Sequence, residues 1–339
     1  MMGSRLAGVL ETLSGRQRGL RSGLLTRAAK IALVGAAYYV AARLSLHLAL
    51  IQKNVTPLWP PTGIAVVAFL LLGPEVWPGV ALAAFFVNEP ISASWLAAAG
   101  TAVGNTLAPL VAAMFLVRVG FRKEIDRLRD GIAIVVAALS SMLISASVGV
   151  GVLVLSGAIH ASAFLGAWAV WWTGDAMGVL VVAPFLLIAL QLRLPARIPW
   201  GRLAELTVLL LVIAAVSLAV SRTHLGLMFL VLPLLGWAAW RFQQAGSAPA
   251  AMLIAGTVTW AAARRWGVFG GGTLFARMLT LQAFNATVAL TSCFFAALVT
   301  ERMRAQQDLE RAAAELEARV RSGTLELSAA NGWDSARAS

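Results

Sequence analysis

Span-length apolar runs follow one another along almost the whole chain, and few folds tolerate that. A bilayer's hydrocarbon core is roughly 30 Å thick, so each helical crossing takes about 20 predominantly apolar residues. Windows of this kind run from Ile31 to Leu50, Trp95 to Val117, Ile132 to Leu155, Phe164 to Leu190, Leu206 to Val220, Leu225 to Trp240 and Met278 to Val299. Shorter ones cover Leu58 to Leu72, Val76 to Val87 and Ala250 to Ala263. A hydrophobic share of 60%, a charged share of 12% and a mean hydropathy of +0.82 exclude an ordinary soluble domain. Backbone N–H and C=O groups find no water in lipid, so such continuous runs fold as helices that satisfy them internally. The expectation is an all-α, polytopic helical membrane bundle of about eight to ten spans, the range being set by the short segments.

Two of those short segments carry unusual punctuation. Leu58-Trp59-Pro60-Pro61-Thr62-Gly63 opens the first, and Gly73-Pro74-Glu75-Val76-Trp77-Pro78-Gly79 separates it from the second. Two proline-tipped arms are expected to face each other across a tight turn, either as steep crossings or as a re-entrant pair buried in protein. Both arrangements return the chain to the same side. Arg5, Arg16, Arg18, Arg21, Arg27 and Lys30 precede the first span, which the positive-inside rule assigns to the cytoplasm. Counted from there, Arg118, Arg122, Lys123, Arg127 and Arg129 fall inside, as do Arg193, Arg197, Arg202 and the C-terminus, whereas Arg264 and Arg265 fall outside.

The net charge of +12 and the pI near 11.4 are spread over loops rather than gathered with stacking aromatics. That distribution points to topology and anionic membrane lipid and away from nucleic acid. Cys293 is the only cysteine and lies in the last span, so neither a disulfide framework nor a thiolate metal site fits within one chain. The stretch after Lys30 is span-length and has no small-residue cleavage site behind it, so it reads as a retained anchor.

Beyond the last span the chemistry changes. From Thr300 to Ser322 the chain is charged and free of proline and glycine. Ala313, Val320 and Leu327 fit one heptad row and Leu309 and Leu316 the other, as in a parallel dimeric coiled coil. The pattern lasts only about three heptads, with Gln306 and Gly323 at core positions, and a single solvated helix is the alternative.

Taken in order, several motifs resemble the membrane-associated sensor domain of the first type (MASE type 1), the N-terminal sensor of bacterial histidine kinases and diguanylate cyclases. They are Leu58 to Gly63, Trp77-Pro78-Gly79 followed by Asn88, Gly104-Asn105-Thr106, Trp172-Thr173-Gly174-Asp175-Ala176-Met177-Gly178 running into Ala183-Pro184, the Leu232 to Phe242 stretch and Trp266 to Phe269. The resemblance covers roughly Ile31 to Arg304. It implies signal reception in a bacterial inner membrane, with both termini cytoplasmic, and relay through the C-terminal helix to an output domain. Leu316 to Arg321 and Glu326 to Asn331 look like the linker before a kinase dimerisation helix. His47, His160 and His224 lie within or beside spans, so none is placed as a cytoplasmic phosphoacceptor, and the chain reads as an input module without its output. The domains are then a basic cytoplasmic segment 1–30, a transmembrane sensor 31–300, a signalling helix 301–331 and a helix-poor tail 332–339, such as a frameshift or truncation leaves.

For chemistry inside the bilayer Asp175 comes first, because a carboxylate at a span centre costs roughly 2.5 to 3.5 kcal/mol and needs a partner or a wet cavity. Trp171 and Trp172 supply flat surfaces beside it, and Gly174 and Gly178 allow close backbone approach. The competing reading is an Asp paired across the bundle only to fix packing. Asn88, Asn105 and Asn285 interrupt apolar runs, usually as interhelical glue. Glu89 adjoins Asn88 on the expected outer side, and Trp59 falls near the same boundary. Asp175, Trp172, Trp171, Asn105, Asn88, Glu89 and Trp59 are therefore the ligand-sensing candidates, and Pro60, Pro61, Gly63, Trp77, Pro78, Gly79, Gly174 and Gly178 the structural motif.

No HExxH, CxxC, GxSxG or kinase or cyclase signature occurs, and Gly270-Gly271-Gly272-Thr273 lacks the strand and lysine of a phosphate loop. No catalytic residue, metal or cofactor is expected, and the chain reads as non-enzymatic. Two classes remain: a dimeric receptor sensing a small molecule or a membrane-protein partner, or a transporter with broken helices around a buried carboxylate. A heptad-patterned helix continuous with the last span favours the receptor. A third reading, an inactive remnant, fits the chain after Asn331.

Overall fold

A computed structural model describes residues 25–46, 56–191, 200–271 and 273–337. Outside it fall most of the basic N-terminal segment, His47, the loop holding Arg193 and Arg197, and the side chain of Leu327. The described residues form helices joined by short turns, with no strand among them. Helix α1 covers Leu25–Leu46, α2 Pro60–Leu72, α3 Trp77–Asn88, α4 Trp95–Arg118 and α5 Leu128–Leu155. Next come α6 Phe164–Met177, a π-helical turn Gly178–Val182, and α7 Ala183–Gln191, which continue one another. The bundle closes with α8 Trp200–Arg222, α9 Val231–Phe242, α10 Gln244–Ala263 and α11 Leu274–Arg337.

Among the described residues, six helices are long and apolar enough to cross a membrane: α1, α4, α5, the continuous α6–α7 segment, α8 and α11. Their outward faces carry large apolar side chains, Leu33, Leu96, Leu155, Leu165 and Leu211 among them, that only lipid or a partner would cover. The interior is made largely of alanine with glycine, small residues that let helix backbones approach closely where lipid supplies no hydrophobic drive. One core joins α2, α4, α5 and the α6–α7 segment, and a second joins α8 to α11. Ala255 of α10 and Ala289 and Cys293 of α11 sit in the first core, while Ile254 and Leu281 of the same helices sit in the second. Helices α10 and α11 are thus the seam between two sub-bundles.

The two proline-tipped arms start where proline is best tolerated. Pro60 and Pro61 open α2, and Pro78 lies in the first turn of α3, positions whose N–H groups have no intrahelical acceptor. Gly73 turns the chain between them at φ +89°, a conformation open to glycine. The arms do not pack face to face as the sequence suggests. Each lies on α4, and Val34, Tyr38 and Ala42 of α1 share a core with Ala65 and Phe69 of α2 and Val80 and Ala84 of α3. Small residues on α4, such as Ala102 and Ala113, give both arms a place to bury their apolar faces.

Helix α11 runs from the bundle into the charged segment without a break, 64 residues in all, which is about 96 Å at 1.5 Å per residue. It includes Gly332 to Arg337, where the sequence suggests a helix-poor tail. Once a helix is nucleated, each added residue gains a backbone hydrogen bond, so weak formers can be carried along.

Candidate functional site

Two motifs more than a hundred residues apart, Leu58 to Gly63 and Trp172 to Gly178, meet backbone to backbone. Trp59 N donates to Gly174 O at 3.1 Å. A Cβ on Gly174 would lie 2.6 Å from Thr56 O, one on Gly178 2.1 Å from Trp59 O, and one on Gly63 2.3 Å from Gly178 O. All three are closer than a carbon can approach, so glycine is required for the chains to touch here. At Gly178 the helix widens into its π turn, which ends at Val182, two residues before Pro184; a proline ring inside a helix clashes with the carbonyl four residues back, here that of Leu180.

This interlock presents Asp175 to α2. The side chain is 1% exposed, and its Oδ1 accepts from Thr62 Oγ1 at 2.8 Å. Its Oδ2 is buried without a hydrogen-bond partner, and no ion pair reaches it among the described residues. Next to it runs a chain of polar groups from three helices. Trp171 Nε1 donates to Ser145 Oγ at 3.2 Å, and Ser145 Oγ donates to Asn105 Oδ1 at 2.9 Å. Asn88 Nδ2 donates to Ala84 O of its own helix at 2.8 Å. The Tyr38 hydroxyl is buried without a partner close to Trp59 and Asn105.

Leu46, Thr56, Trp59, Asn88, Ile91, Asn105, Trp171 and Asp175 line a narrow cavity of about 20 Å³. It lies where α1 ends, α2 begins and α3 ends, against the middle of α4 and α6. The sequence candidates Asp175, Trp171, Asn105, Asn88 and Trp59 share this cavity. Trp172 and Glu89 do not: the Trp172 indole donates to Leu139 O at 2.8 Å and stacks on Trp168, and Glu89 is exposed in the turn after α3. Of the structural motif, Trp77 is exposed, and Gly79 lies so close to α1 that a Cβ there would be 2.3 Å from Ile31 O. Among the described residues no three His, Cys, Asp or Glu side chains gather to hold a metal ion.

Residues the sequence did not single out connect this cavity to the last helix. Gln282 of α11, 8% exposed, donates through Nε2 to Pro57 O at 2.7 Å, next to Thr56 in the cavity wall. At the opposite end of the bundle the loop between α4 and α5 grips α11 where it leaves. Asp126, 3% exposed, pairs with Arg304 of α11 and with Arg122 at 3.3 Å. Leu128 N donates to Glu301 Oε2 at 3.2 Å, and Gln244 Nε2 donates to Ile125 O and Cys293 O at 3.1 and 3.3 Å. Arg127 is bonded to Asp130 at 2.8 Å, and that carboxylate holds its guanidinium still more firmly charged. Gln282 had a sequence signal, an amide in an otherwise apolar span, but Asp126 looks in sequence like any charged loop residue.

The interlocked motifs lie within one matched region. The MASE1 family model matches residues 31–303. The chain belongs to the MASE1 family. MASE1 is a membrane sensor domain, and the match takes in every residue of the cavity, Gln282 and the Glu301 grip at the foot of α11. No curated protein and no solved structure matches the chain.

Proposed function

We propose that this chain is the sensory input module of a bacterial signalling protein, set in the inner membrane with both termini in the cytoplasm. On this reading the short helices α2, α3, α9 and α10 also cross or nearly cross, which gives about eight to ten spans. Occupation of the cavity shifts α11, and the paired stalk carries the shift to an output domain, a histidine kinase first and a diguanylate cyclase second. The chain itself performs no catalysis.

The observation that carries this reading is the Gln282 to Pro57 hydrogen bond. Pro57, between the lining residues Thr56 and Trp59, is bonded directly to the helix that forms the stalk, so a displaced wall segment moves α11 through one peptide neighbour. Leu309 and Leu316 of one heptad row and Val320 of the other are 72%, 64% and 62% exposed, an apolar seam suited to a second copy. The test is a fusion of the chain to a kinase core, scored for phosphorylation in lipid nanodiscs. Asp175→Asn and Gln282→Leu should each shift the basal output several-fold while the protein still inserts; wild-type output from both variants rejects the relay.

A transport role is favoured by one feature, the π turn beside a buried carboxylate at mid-bundle. Deletion of 301–327 separates the two, since uptake survives the loss of the stalk and signalling does not.

A further inference from the structure

We infer that the cavity binds a small ammonium-type cation, seated on Asp175 between the indoles of Trp59 and Trp171. The inference rests on the sensory reading of this cavity and gives its ligand a chemistry. Three donors beside the carboxylate are committed, Thr62 to Asp175, Trp171 to Ser145 and Ser145 to Asn105, while the buried Tyr38 hydroxyl stays uncommitted. What is left over at the carboxylate is an acceptor, Oδ2 of a side chain that is 1% exposed. Asn88 adds a second acceptor, since its amide nitrogen is bonded to Ala84 O and its oxygen is left over.

A buried carboxylate oxygen without a partner is strongly stabilised by a cation that can also donate a hydrogen bond. Indole rings attract cations through their faces, and Trp is the best side chain for it. A metal cation such as sodium asks for a shell of oxygen ligands; of the four oxygen-bearing lining residues, Thr56, Asn88, Asn105 and Asp175, Asn105 Oδ1 already accepts from Ser145, and the other four walls are two indoles and the aliphatic Leu46 and Ile91. The volume of about 20 Å³ matches an occupant of about one or two heavy atoms. Asp175 holds the positive charge, Asn88 and Asp175 accept N–H groups, and the indoles exclude larger hydrated ions.

The experiment is thermal unfolding of the full chain in nanodiscs with ammonium chloride, against potassium chloride at equal ionic strength. Potassium has nearly the same size and the same charge but no N–H. Ammonium should raise the unfolding midpoint saturably, methylammonium should do so comparably, and potassium should not. Asp175→Asn, which keeps an oxygen for Thr62, should weaken the ammonium effect about tenfold or more. Trp59→Phe, which keeps an aromatic ring and leaves the Trp59 backbone contacts available, should weaken it by a smaller factor. An absent or unsaturable shift, an equal shift with potassium, or full retention in Asp175→Asn overturns the proposal. The relay is read separately, by the distance between spin labels on the stalk. Ammonium binding with no change in that distance leaves the ligand class standing and removes the relay.

Discussion

Gly178 and Gly151 are both helical glycines, and their surroundings predict opposite outcomes for the same methyl group. A Cβ at Gly178 would stand 2.1 Å from Trp59 O, while one at Gly151 meets nothing within 4 Å. Gly178→Ala should therefore destabilise the bundle by about 1–3 kcal/mol or more, through overpacking of backbone on backbone. Gly151→Ala should be neutral or stabilise by about 0.5–1 kcal/mol, since alanine suits a helix better. Unfolding midpoints of the two variants in one detergent check the pair. Thr62→Val keeps the shape and removes the one hydrogen bond to Asp175 Oδ1; a loss of about 1.5–3 kcal/mol is expected on the same scale. Asp175 was legible in the sequence because a carboxylate in an apolar run has no inexpensive local partner. Thr62 and Ser145 were not, because a hydroxyl in a helix usually bonds the carbonyl four residues back, as Thr106, Ser140 and Thr173 do here. Nothing in the sequence distinguishes those from the two that reach across.

At the scale of elements, α11 is held at both ends of the bundle, and the inner hold can be tested alone. Arg304 is about half exposed and Asp126 is buried, so the pair is open to salt from one side. Asp126→Asn should loosen the exit of α11 from the bundle, seen as roughly tenfold faster amide exchange over 300–304 with the core unchanged. High salt should move the wild type in the same direction; exchange that stays wild-type in the variant rejects the clamp. Helix positions were readable from apolar length to within about six residues at their ends, since an apolar run of this length is satisfied only as a helix. How the arms α2 and α3 pack was not, because their near-uniform apolarity leaves no stripe to say which side is buried. The corner from α9 to α10 escaped for another reason: Gln243 turns it at φ +51°, where glycine is the usual signal.

At the scale of the whole molecule the bundle and the stalk form a single object through α11. A cysteine at Leu316 or Leu309 should form an intermolecular disulfide in membranes, and one at Glu315 or Glu317 should not, while Cys293 is buried and does not compete. Equal crosslinking at all four positions rejects the heptad pairing. The shared helix also imposes a symmetry on energetics. Thermodynamic linkage requires that if filling the cavity changes the stalk's preferred arrangement by some factor, fixing the stalk changes the cavity's affinity by the same factor. On the proposed relay, an output domain that grips the stalk would itself be an effector of the cavity some tens of ångströms away. Affinity measured on the bundle with its stalk unloaded would then describe one end of a range set by whatever holds the stalk.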